Sequence, residues 1–153
     1  MSDRIADLLD GLELFSRFNY TELKALARYM VYRELQKNDV VFNEGDAGDH
    51  MLILVEGSLA IFKGGEMGRH LLSYEGKGRV VGEMALLDQE RRSATCIAST
   101  DCVLLTFNID SLDQLSKDNP LIAYRFMSAL ARLLSRRLRR TSGMLVEYLS
   151  DTP

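Results

Sequence analysis

Hydrophobic and polar positions divide the chain into a helical start, a strand-rich middle and a helical end. Near the start, Asn19 is followed three residues later by Glu22. The apolar positions that continue at helical spacing are Leu23, Leu26, Ala27 and Met30. An Asn cap with Glu at the third helical position resembles a capping box, so the pattern predicts a short amphipathic helix here. We expect short N-terminal helices within residues 1–30.

From about residue 31 to residue 108 the pattern changes to short runs of β-branched and aromatic residues between turns. These runs are 40–42, 51–55, 59–62, 71–74, 80–81, 94–98 and 102–107. Short strands at this spacing, with glycine in the turns, predict a sandwich or barrel rather than a parallel sheet. Gly45, Gly57 and Gly78 are expected to take a positive φ or to form bulges.

The last third of the chain, about residues 109–149, has helical spacing. Residues 109–117 fit one short helix, and Asn119 followed by Pro120 predicts the start of another. Its apolar positions are Phe126, Met127, Leu130, Leu133, Leu134, Leu138, Leu145 and Leu149. A helix of this extent is about 45 Å long, which is more than a small barrel can cover. We therefore expect its exposed part to pack against a second copy, giving a homodimer.

Composition is that of an ordinary globular domain. The chain has 153 residues, of which 46% are hydrophobic and 27% are charged, so one domain over residues 1–153 is expected. The formal net charge of −3 disfavours a general affinity for nucleic acid or an acidic membrane. The N-terminus lacks the pattern of a signal peptide, and the apolar run 51–55 is too short to cross a bilayer. A cytoplasmic protein with no membrane partner is expected.

The positions of the cysteines and histidines in the sequence do not favour a metal site or a reactive thiol. Cys96 and Cys102 lie in apolar surroundings outside any metal-ligand spacing, and we expect reduced core thiols. His50 and His70 stand alone, whereas a metal-dependent barrel enzyme needs a histidine cluster. We expect no metal, no cofactor and no catalytic residue. The basic cluster near the end is interpreted as a solvated helix flank, with nucleic acid as the alternative; it comprises Arg132, Arg136, Arg137, Arg139 and Arg140.

The residues that suggest a ligand lie between positions 78 and 95. Gly82 allows a close approach of the backbone, and the turn 83–87 offers unpaired amides that attract an anion. Arg92 adds a cation whose planar fork matches phosphate oxygens. Glu83 would repel that anion, so its carboxylate is expected to accept from a ribose hydroxyl, and the two sites together indicate a nucleotide. The alternative is that Glu83 only complements the helix dipole and Arg92 is a solvated loop residue.

The same stretch resembles the cyclic-nucleotide-binding domain family, which includes the bacterial catabolite activator protein and the regulatory subunits of protein kinase A. Residues 82–86 (GEMAL) and 92–94 (RSA) fill in order the two halves of its phosphate-binding cassette. Residues 44–57 resemble the first hairpins of the family, and the resemblance extends over about residues 14–148. It implies an α+β fold, a β-jelly-roll barrel with N-terminal helices and a long C-terminal helix.

The resemblance also implies roles for the matching residues. The phosphate and ribose site would be Gly82, Glu83, Met84, Ala85, Arg92, Ser93 and Ala94. Glu83 would take the ribose 2′-hydroxyl, and Arg92 with the Ser93 hydroxyl would hold the cyclic phosphate, assisted by the backbone amides of Met84 and Ala85. Arg91 stands where the family often has Pro, so either arginine can enter the pocket, and the register of Ser93 favours Arg92.

The long helix is expected to read the base. Thr141 and Ser142 align with a Thr-Ser pair that contacts adenine in the bacterial activator, where the Ser comes from the other subunit. Arg137 is expected near Glu83. Cyclic AMP is therefore the expected ligand, although the Ser93 hydroxyl leaves cyclic GMP open.

The resemblance implies a regulatory sensor without enzymatic activity. Ligand binding would reposition the cassette and the C-terminal helix and so signal to an unknown effector protein. The bacterial activator continues into a DNA-binding domain after the long helix. The sequence ends at Pro153, so we expect no DNA-binding domain and no nucleic acid partner from this chain. The alternative is that the chain is the ligand-sensing fragment of a transcription regulator of that type.

Overall fold

The computed structural model describes residues 1–64 and 67–150. Its helices are α1 (Ser2–Leu9), a 3-10 turn (Glu13–Phe15), α2 (Tyr20–Ala27), α3 (Glu83–Asp88), α4 (Ile109–Asp118) and α5 (Pro120–Ser150). Its strands are β1 (Val31–Leu35), β2 (Val40–Phe42), β3 (His50–Glu56), β4 (Leu59–Lys63), β5 (His70–Glu75), β6 (Val80–Val81), β7 (Thr95–Ala98) and β8 (Cys102–Asn108). The helical ends and the strand-rich middle are those that the hydrophobic pattern predicts.

The strands form two antiparallel sheets of four strands each. Their orders are β1-β8-β3-β6 and β2-β7-β4-β5. Some neighbouring strands are distant in sequence, since Val31 of β1 lies opposite Thr106 of β8, whereas β4 and β5 are consecutive. Two sheets connected in this way form a jelly roll. The predicted α+β fold, a β-jelly-roll barrel with N-terminal helices and a long C-terminal helix, is confirmed.

Strand β3 lies at the centre of the core because both of its faces are covered. Met51, Ile53 and Val55 pack with the helices, while Leu52 and Leu54 pack with residues of the second sheet. Successive side chains of a strand point to opposite faces. A strand between two apolar layers therefore has an unbroken apolar run rather than an alternating one.

The interior of the barrel contains both cysteines. Cys96 and Cys102 are buried free thiols in the cluster between the sheets, as the sequence predicts. Burial, and secondly the neighbouring Cys102, raise the pKa of Cys96 to about 12. Cys96 is therefore protonated at neutral pH and behaves as a small apolar side chain.

Both predicted helix starts are present. The Asn19 side chain accepts from the backbone of Glu22 at 2.9 Å, and the Glu22 side chain accepts from the backbone of Asn19 at 3.0 Å. Asn119 caps α5 by accepting from the backbone of Ile122 at 3.3 Å. The inclusion of Met30 in the first helix was wrong. Helix α2 ends at Ala27, and the Met30 amide bonds the Ala27 carbonyl in a tightened turn that leads into β1.

Helix α5 is buried only in its first half. The residues of this half that enter the core are Ile122, Ala123, Phe126, Ala129 and Leu130. Leu138, Leu145 and Leu149 are 67%, 57% and 62% exposed. Among the helices of the described residues, none has both the length and the apolar character needed to cross a bilayer.

Candidate functional site

A cavity of about 350 Å³ lies against the second sheet, α3 and the loop before β7. Its lining includes all the residues expected to hold phosphate and ribose, namely Gly82, Glu83, Met84, Ala85, Arg92, Ser93 and Ala94. Its volume is at the lower end of the range for small-molecule sites. The structure thus brings the two sequence segments of the expected cassette to one concave surface.

Arg92 is the most buried charged group of this cavity, at 5% exposure. Its Nη2 donates to the His50 carbonyl at 2.7 Å and its Nη1 to the Gly82 carbonyl at 3.2 Å. The guanidinium carbon lies 4.3 Å from the centre of the Phe42 ring. Within the described residues the buried Nε has no hydrogen-bond partner, so the site contains a fixed cation with a free donor.

The burial of Arg92 favours an anionic ligand. Burial lowers the pKa of the Arg92 guanidinium, while Asp49, Cys96, Asp46 and Glu83 act in the opposite direction. No carboxylate of the described residues forms an ion pair with Arg92 within 4.0 Å. A buried cation without a counter-ion is costly, and an anionic ligand relieves that cost.

Arg91 takes a different direction from Arg92. It is exposed, and its Nη1 donates to the Gly45 carbonyl at 2.9 Å. The backbone of Arg92 is bonded to the same loop, through the Asp46 carbonyl and the Gly45 amide, both at 2.8 Å. The loop between β2 and β3 therefore holds the backbone of the cassette. Both arginines line the cavity, and Arg92 is the buried one.

Gly82 gives Arg92 the space it occupies. It caps α3 with φ 77° and ψ 15° in the left-handed region. A Cβ at this position would lie 2.3 Å from Nη1 of Arg92. The sequence suggested glycine for a close ligand approach, whereas in the structure the nearest group is the arginine that lines the cavity.

Glu83 and Arg137 connect the cavity to the long helix. Glu83 is 8% exposed, and its Oε1 accepts from Nη1 of Arg137 at 2.8 Å. Nη2 of Arg137 lies 3.3 Å from the Val80 carbonyl. Glu83 makes its described hydrogen bond through one oxygen, so the other can accept from a ligand hydroxyl. The structure thus places Arg137 beside Glu83.

Thr141 and Ser142 do not line this cavity. Thr141 borders a neighbouring cavity of about 280 Å³, and its hydroxyl donates to the Arg137 carbonyl at 3.0 Å. Ser142 is exposed. The structure therefore brings Arg137, but neither residue of this pair, into the wall of the site.

In the described part of the chain there is also no group of three metal-ligating side chains.

The sequence profile described as "Cyclic nucleotide-binding domain" matches residues 32–119, more than half of the chain. The chain belongs to the cyclic nucleotide-binding domain family.

Related proteins agree with this assignment. The chain is 27% identical to a "CRP-like cAMP-activated global transcriptional regulator" of Mycobacterium tuberculosis, over 96% of this chain and 65% of that protein. It is 31% identical to a "Cyclic AMP receptor protein" of Thermus thermophilus, over 86% of this chain and 59% of that protein. The chain therefore spans less than two thirds of the length of these curated relatives.

The fold of the family is also found among solved structures. A cyclic nucleotide-binding domain from Methylobacillus flagellatus superposes with a TM-score of 0.82 at 26% identity, covering 96% of this chain and 83% of that one. This similarity extends to the helices at both ends, because the match spans nearly the whole chain.

Several residues of this cyclic nucleotide-binding domain could not be identified from the sequence. Phe42 in β2 and the carbonyl of His50 at the start of β3 hold Arg92. Both are far from Arg92 in the sequence. Gly48 is equally constrained, because a Cβ there would lie 2.4 Å from the Cβ of Ala85. Only the upstream glycines and acidic residues of the hairpin, which resemble those of the family, pointed toward this region.

Proposed function

We propose that this cyclic nucleotide-binding domain senses 3′,5′-cyclic AMP and has a regulatory rather than a catalytic role. The observation that carries the proposal is the buried guanidinium of Arg92 in the lining of the cavity, which has no paired carboxylate among the described residues. A cyclic phosphodiester supplies one negative charge for that cation. The Ser93 hydroxyl and the amides of Met84 and Ala85 at the start of α3 supply further donors.

Glu83 is proposed to bind the sugar. It lies next to Gly82, one residue from the proposed phosphate donors, and is held at 10% side-chain exposure beside Arg137. A carboxylate only accepts hydrogen bonds, so the ribose 2′-hydroxyl is a suitable partner and the phosphate is not. The pair of Glu83 and Arg92 thus selects a molecule that has a hydroxyl beside an anionic group.

Adenine is the proposed base. Two relatives of this chain are named as cyclic-AMP-activated or as a cyclic AMP receptor, which supports that ligand here. Thr141 and Ser142 remain the proposed base contacts, and they require either a shift of α5 or a contribution from a second copy. Cyclic GMP is the alternative ligand, because the Ser93 hydroxyl is in the cavity wall and can also contact a guanine amino group.

The proposed signal is a movement of α3 and α5. Arg137 of α5 bonds Glu83 at the first position of α3. A nucleotide whose ribose binds Glu83 changes the bond between Glu83 and Arg137. Because that bond depends on the position of α5, the nucleotide binds with different affinity when α5 is in different positions. A ligand can shift a conformational equilibrium only through such a difference. An unknown effector protein in the cytoplasm would respond to the new position.

A homodimer through α5 is proposed as the signalling unit. Leu138, Leu145 and Leu149 are exposed, and Ser142 lies on the same side of the helix because positions 4, 7 and 11 residues apart nearly coincide. A second α5 packed on this stripe would cover the leucines and meet Ser142.

Titration calorimetry with cyclic AMP, cyclic GMP and 5′-AMP tests the ligand assignment. We expect the affinity for cyclic AMP to exceed that for 5′-AMP, whose dianionic, open phosphate does not match a site for one negative charge. Saturation at 100 times the Kd should raise the free energy of unfolding by about 2.7 kcal/mol. Binding of 5′-AMP as tight as that of cyclic AMP would contradict the proposal.

A pair of arginine variants tests which side chain holds the phosphate. Arg92→Ala should remove most of the thermal stabilisation by cyclic AMP, because it removes the buried cation. Arg91→Ala should keep it, since Arg91 is exposed and directed to Gly45. Thermal unfolding with and without the nucleotide measures both, and equal losses in the two variants would show that the assignment of Arg92 is wrong.

A second candidate function is that of the ligand-sensing part of a transcription regulator. Two observations favour it. The relative from Mycobacterium tuberculosis is named as a transcriptional regulator, and this chain covers 65% of it. In that case α5 would transmit the same movement to a DNA-binding unit. The natural reading frame that contains this sequence distinguishes the two possibilities.

A further inference from the structure

A second, strongly basic recess lies on the other side of Arg137. One cavity of about 340 Å³ lies between the turn after α1, the loop between β5 and β6, and α5. It adjoins a cavity of about 280 Å³ through shared walls at Arg79, Val80 and Arg137. The cationic side chains that line the two cavities are Lys77, Arg79, Arg136, Arg137 and Arg140. Among the described residues, two carboxylates, Glu13 and Glu75, line them as well.

These carboxylates neutralise only part of the positive charge. Glu13 lies 3.7 Å from Arg136, and both side chains are more than half exposed at 83% and 55%. Glu75 pairs with Arg79 at 3.2 Å. In the described structure Lys77 and Arg140 form no ion pair within 4.0 Å. Arg137 is also paired, with Glu83 at 2.8 Å. Three of the five cations therefore have a carboxylate partner, and Lys77 and Arg140 leave the recess with a net positive charge, although the whole chain has a net charge of −3.

The walls of the recess are held by main-chain bonds. In the loop between β5 and β6, the Gly78 amide donates to the Leu54 carbonyl at 2.7 Å, and the Leu54 amide donates to the Arg79 carbonyl at 3.0 Å. These bonds tie the loop to β3. A binding surface on rigid elements needs little ordering when a ligand arrives.

We infer that this recess is a second ligand site, for a small compound with two or more phosphate groups. Arginine and lysine side chains around a concave surface suit several phosphate oxygens at once. The two carboxylates in its lining, Glu13 and Glu75, disfavour a long polyanion that would contact the whole surface. A free phosphate compound and a phosphoinositide headgroup share this chemistry.

The two sites share three lining residues, Glu75, Val80 and Arg137, of which Arg137 is the cation. Arg137 lines both the nucleotide cavity and the basic recess, and its guanidinium is bonded to Glu83 at 2.8 Å. A polyphosphate in the recess attracts Arg137 away from Glu83 and places further negative charge near the cyclic phosphate. The two ligands therefore oppose each other, and the effect is reciprocal. This coupling rests on the proposed function, whereas the polyphosphate site itself does not.

Calorimetric titration of the full chain with inorganic pyrophosphate tests the site, once without nucleotide and once with saturating cyclic AMP. We expect saturable binding in both, lost in Lys77→Gln/Arg136→Gln, whose positions do not line the nucleotide cavity. Lys37→Gln/Lys117→Gln removes the same charge at two exposed positions elsewhere and should keep the binding. The absence of pyrophosphate binding, or equal binding by the two double variants, overturns the proposal of this second site.

The coupling has its own measurement. In saturating pyrophosphate we expect the Kd for cyclic AMP to rise by about fivefold or more and then to level off. This increase should vanish in Lys77→Gln/Arg136→Gln, which keeps its affinity for cyclic AMP alone. A Kd that rises without limit shows direct competition and overturns the coupling. Failure of cyclic AMP to bind at all would reject the proposed function and leave the pyrophosphate titration without nucleotide as a separate test.

Vesicles identify the source of the phosphates. Phosphatidylcholine vesicles with and without phosphatidylinositol bisphosphate are sedimented with the chain and with both double variants. Sedimentation that depends on the phosphoinositide and is lost in Lys77→Gln/Arg136→Gln supports a headgroup as the ligand. Pyrophosphate binding without sedimentation supports a free compound. Equal sedimentation of the two double variants contradicts recognition by this recess.

Discussion

At the scale of single residues, the site depends on how closely its groups are packed. Gly82 needs a positive φ of 77° and also leaves room for Arg92, whose Nη1 would be 2.3 Å from a Cβ. Ala at this position therefore meets two independent obstacles, one in the backbone and one at the guanidinium. The first acts on the backbone of residue 82 itself, and the second acts on Arg92, which we propose holds the phosphate.

The variant Gly82→Ala should lower the free energy of unfolding by about 1–2 kcal/mol, from the left-handed backbone alone. It should also weaken cyclic AMP binding by about tenfold or more, a loss of about 1.4 kcal/mol, because Arg92 must move. Gly76→Ala is the matched control, since its Cβ would have no neighbour within 4 Å. Urea unfolding and calorimetry measure both variants, and an equal loss of affinity in the control would contradict this role of Gly82.

Cys96 predicts a pH dependence of stability. Burial raises its pKa from 9.0 to about 12, so the folded chain holds the thiol proton in a range where the unfolded chain has lost it. This contribution to stability is complete below pH 9.0 and is lost as pH rises toward about 12, at about 1.4 kcal/mol per pH unit. Urea unfolding of the natural chain and of Cys96→Ala should therefore give stability differences that shrink above pH 9.0. A difference that stays constant with pH would contradict this prediction.

The sequence identified the residues proposed to bind the ligand better than the residues that hold them in position. Glu83 and Arg92 could be named because their types and their order match a known cassette. Phe42 and the His50 carbonyl could not, because an aromatic ring in a strand and a main-chain oxygen have no distinctive sequence pattern. Gly48 is similar, since its constraint is the Cβ of Ala85 at 2.4 Å, which only the fold brings close.

At the scale of secondary structure, local signals and long-range pairing differ in how well a sequence specifies them. The starts of α2 and α5 are set by Asn19 and Asn119, whose bonds span three residues. The pairing of β1 with β8 joins Val31 to Thr106, and no local pattern encodes that partner. The family resemblance, and not the strand pattern, supplied the jelly-roll topology.

The N-cap of α2 gives a prediction at this scale. Asn19→Ala should lower the free energy of unfolding by about 1 kcal/mol, because the amide of Glu22 loses its acceptor. The affinity for cyclic AMP should stay unchanged, since α2 does not line the nucleotide cavity. Asn19→Asp retains an acceptor and serves as the control. A loss of stability as large in Asn19→Asp as in Asn19→Ala would show that the cap is not the cause.

At the scale of the whole molecule, the exposed end of α5 is the feature through which we propose that the chain contacts a second copy. The core covers this helix through Leu130, while the stripe of Leu138, Leu145 and Leu149 is exposed. Arg137 lies between the two parts and bonds Glu83. In the proposed mechanism, a change at the nucleotide cavity would therefore act on the segment of α5 where the buried half ends and the exposed half begins.

The double variant Leu138→Glu/Leu145→Glu should convert the proposed dimer to a monomer. It places two negative charges in the leucine stripe of each α5, and these charges repel each other across the seam between the two helices. Met144→Glu is the control. It is 62% exposed but points about 120° away from the seam, so its dimer should persist. Sedimentation velocity over a range of concentrations, with and without cyclic AMP, measures the association. If Ser142 reaches the base from the second copy, the monomeric variant should also bind cyclic AMP more weakly, whereas Met144→Glu should not. A natural chain that stays monomeric at all concentrations with the nucleotide bound would exclude the α5 dimer, and adenine would then have to be read within one chain.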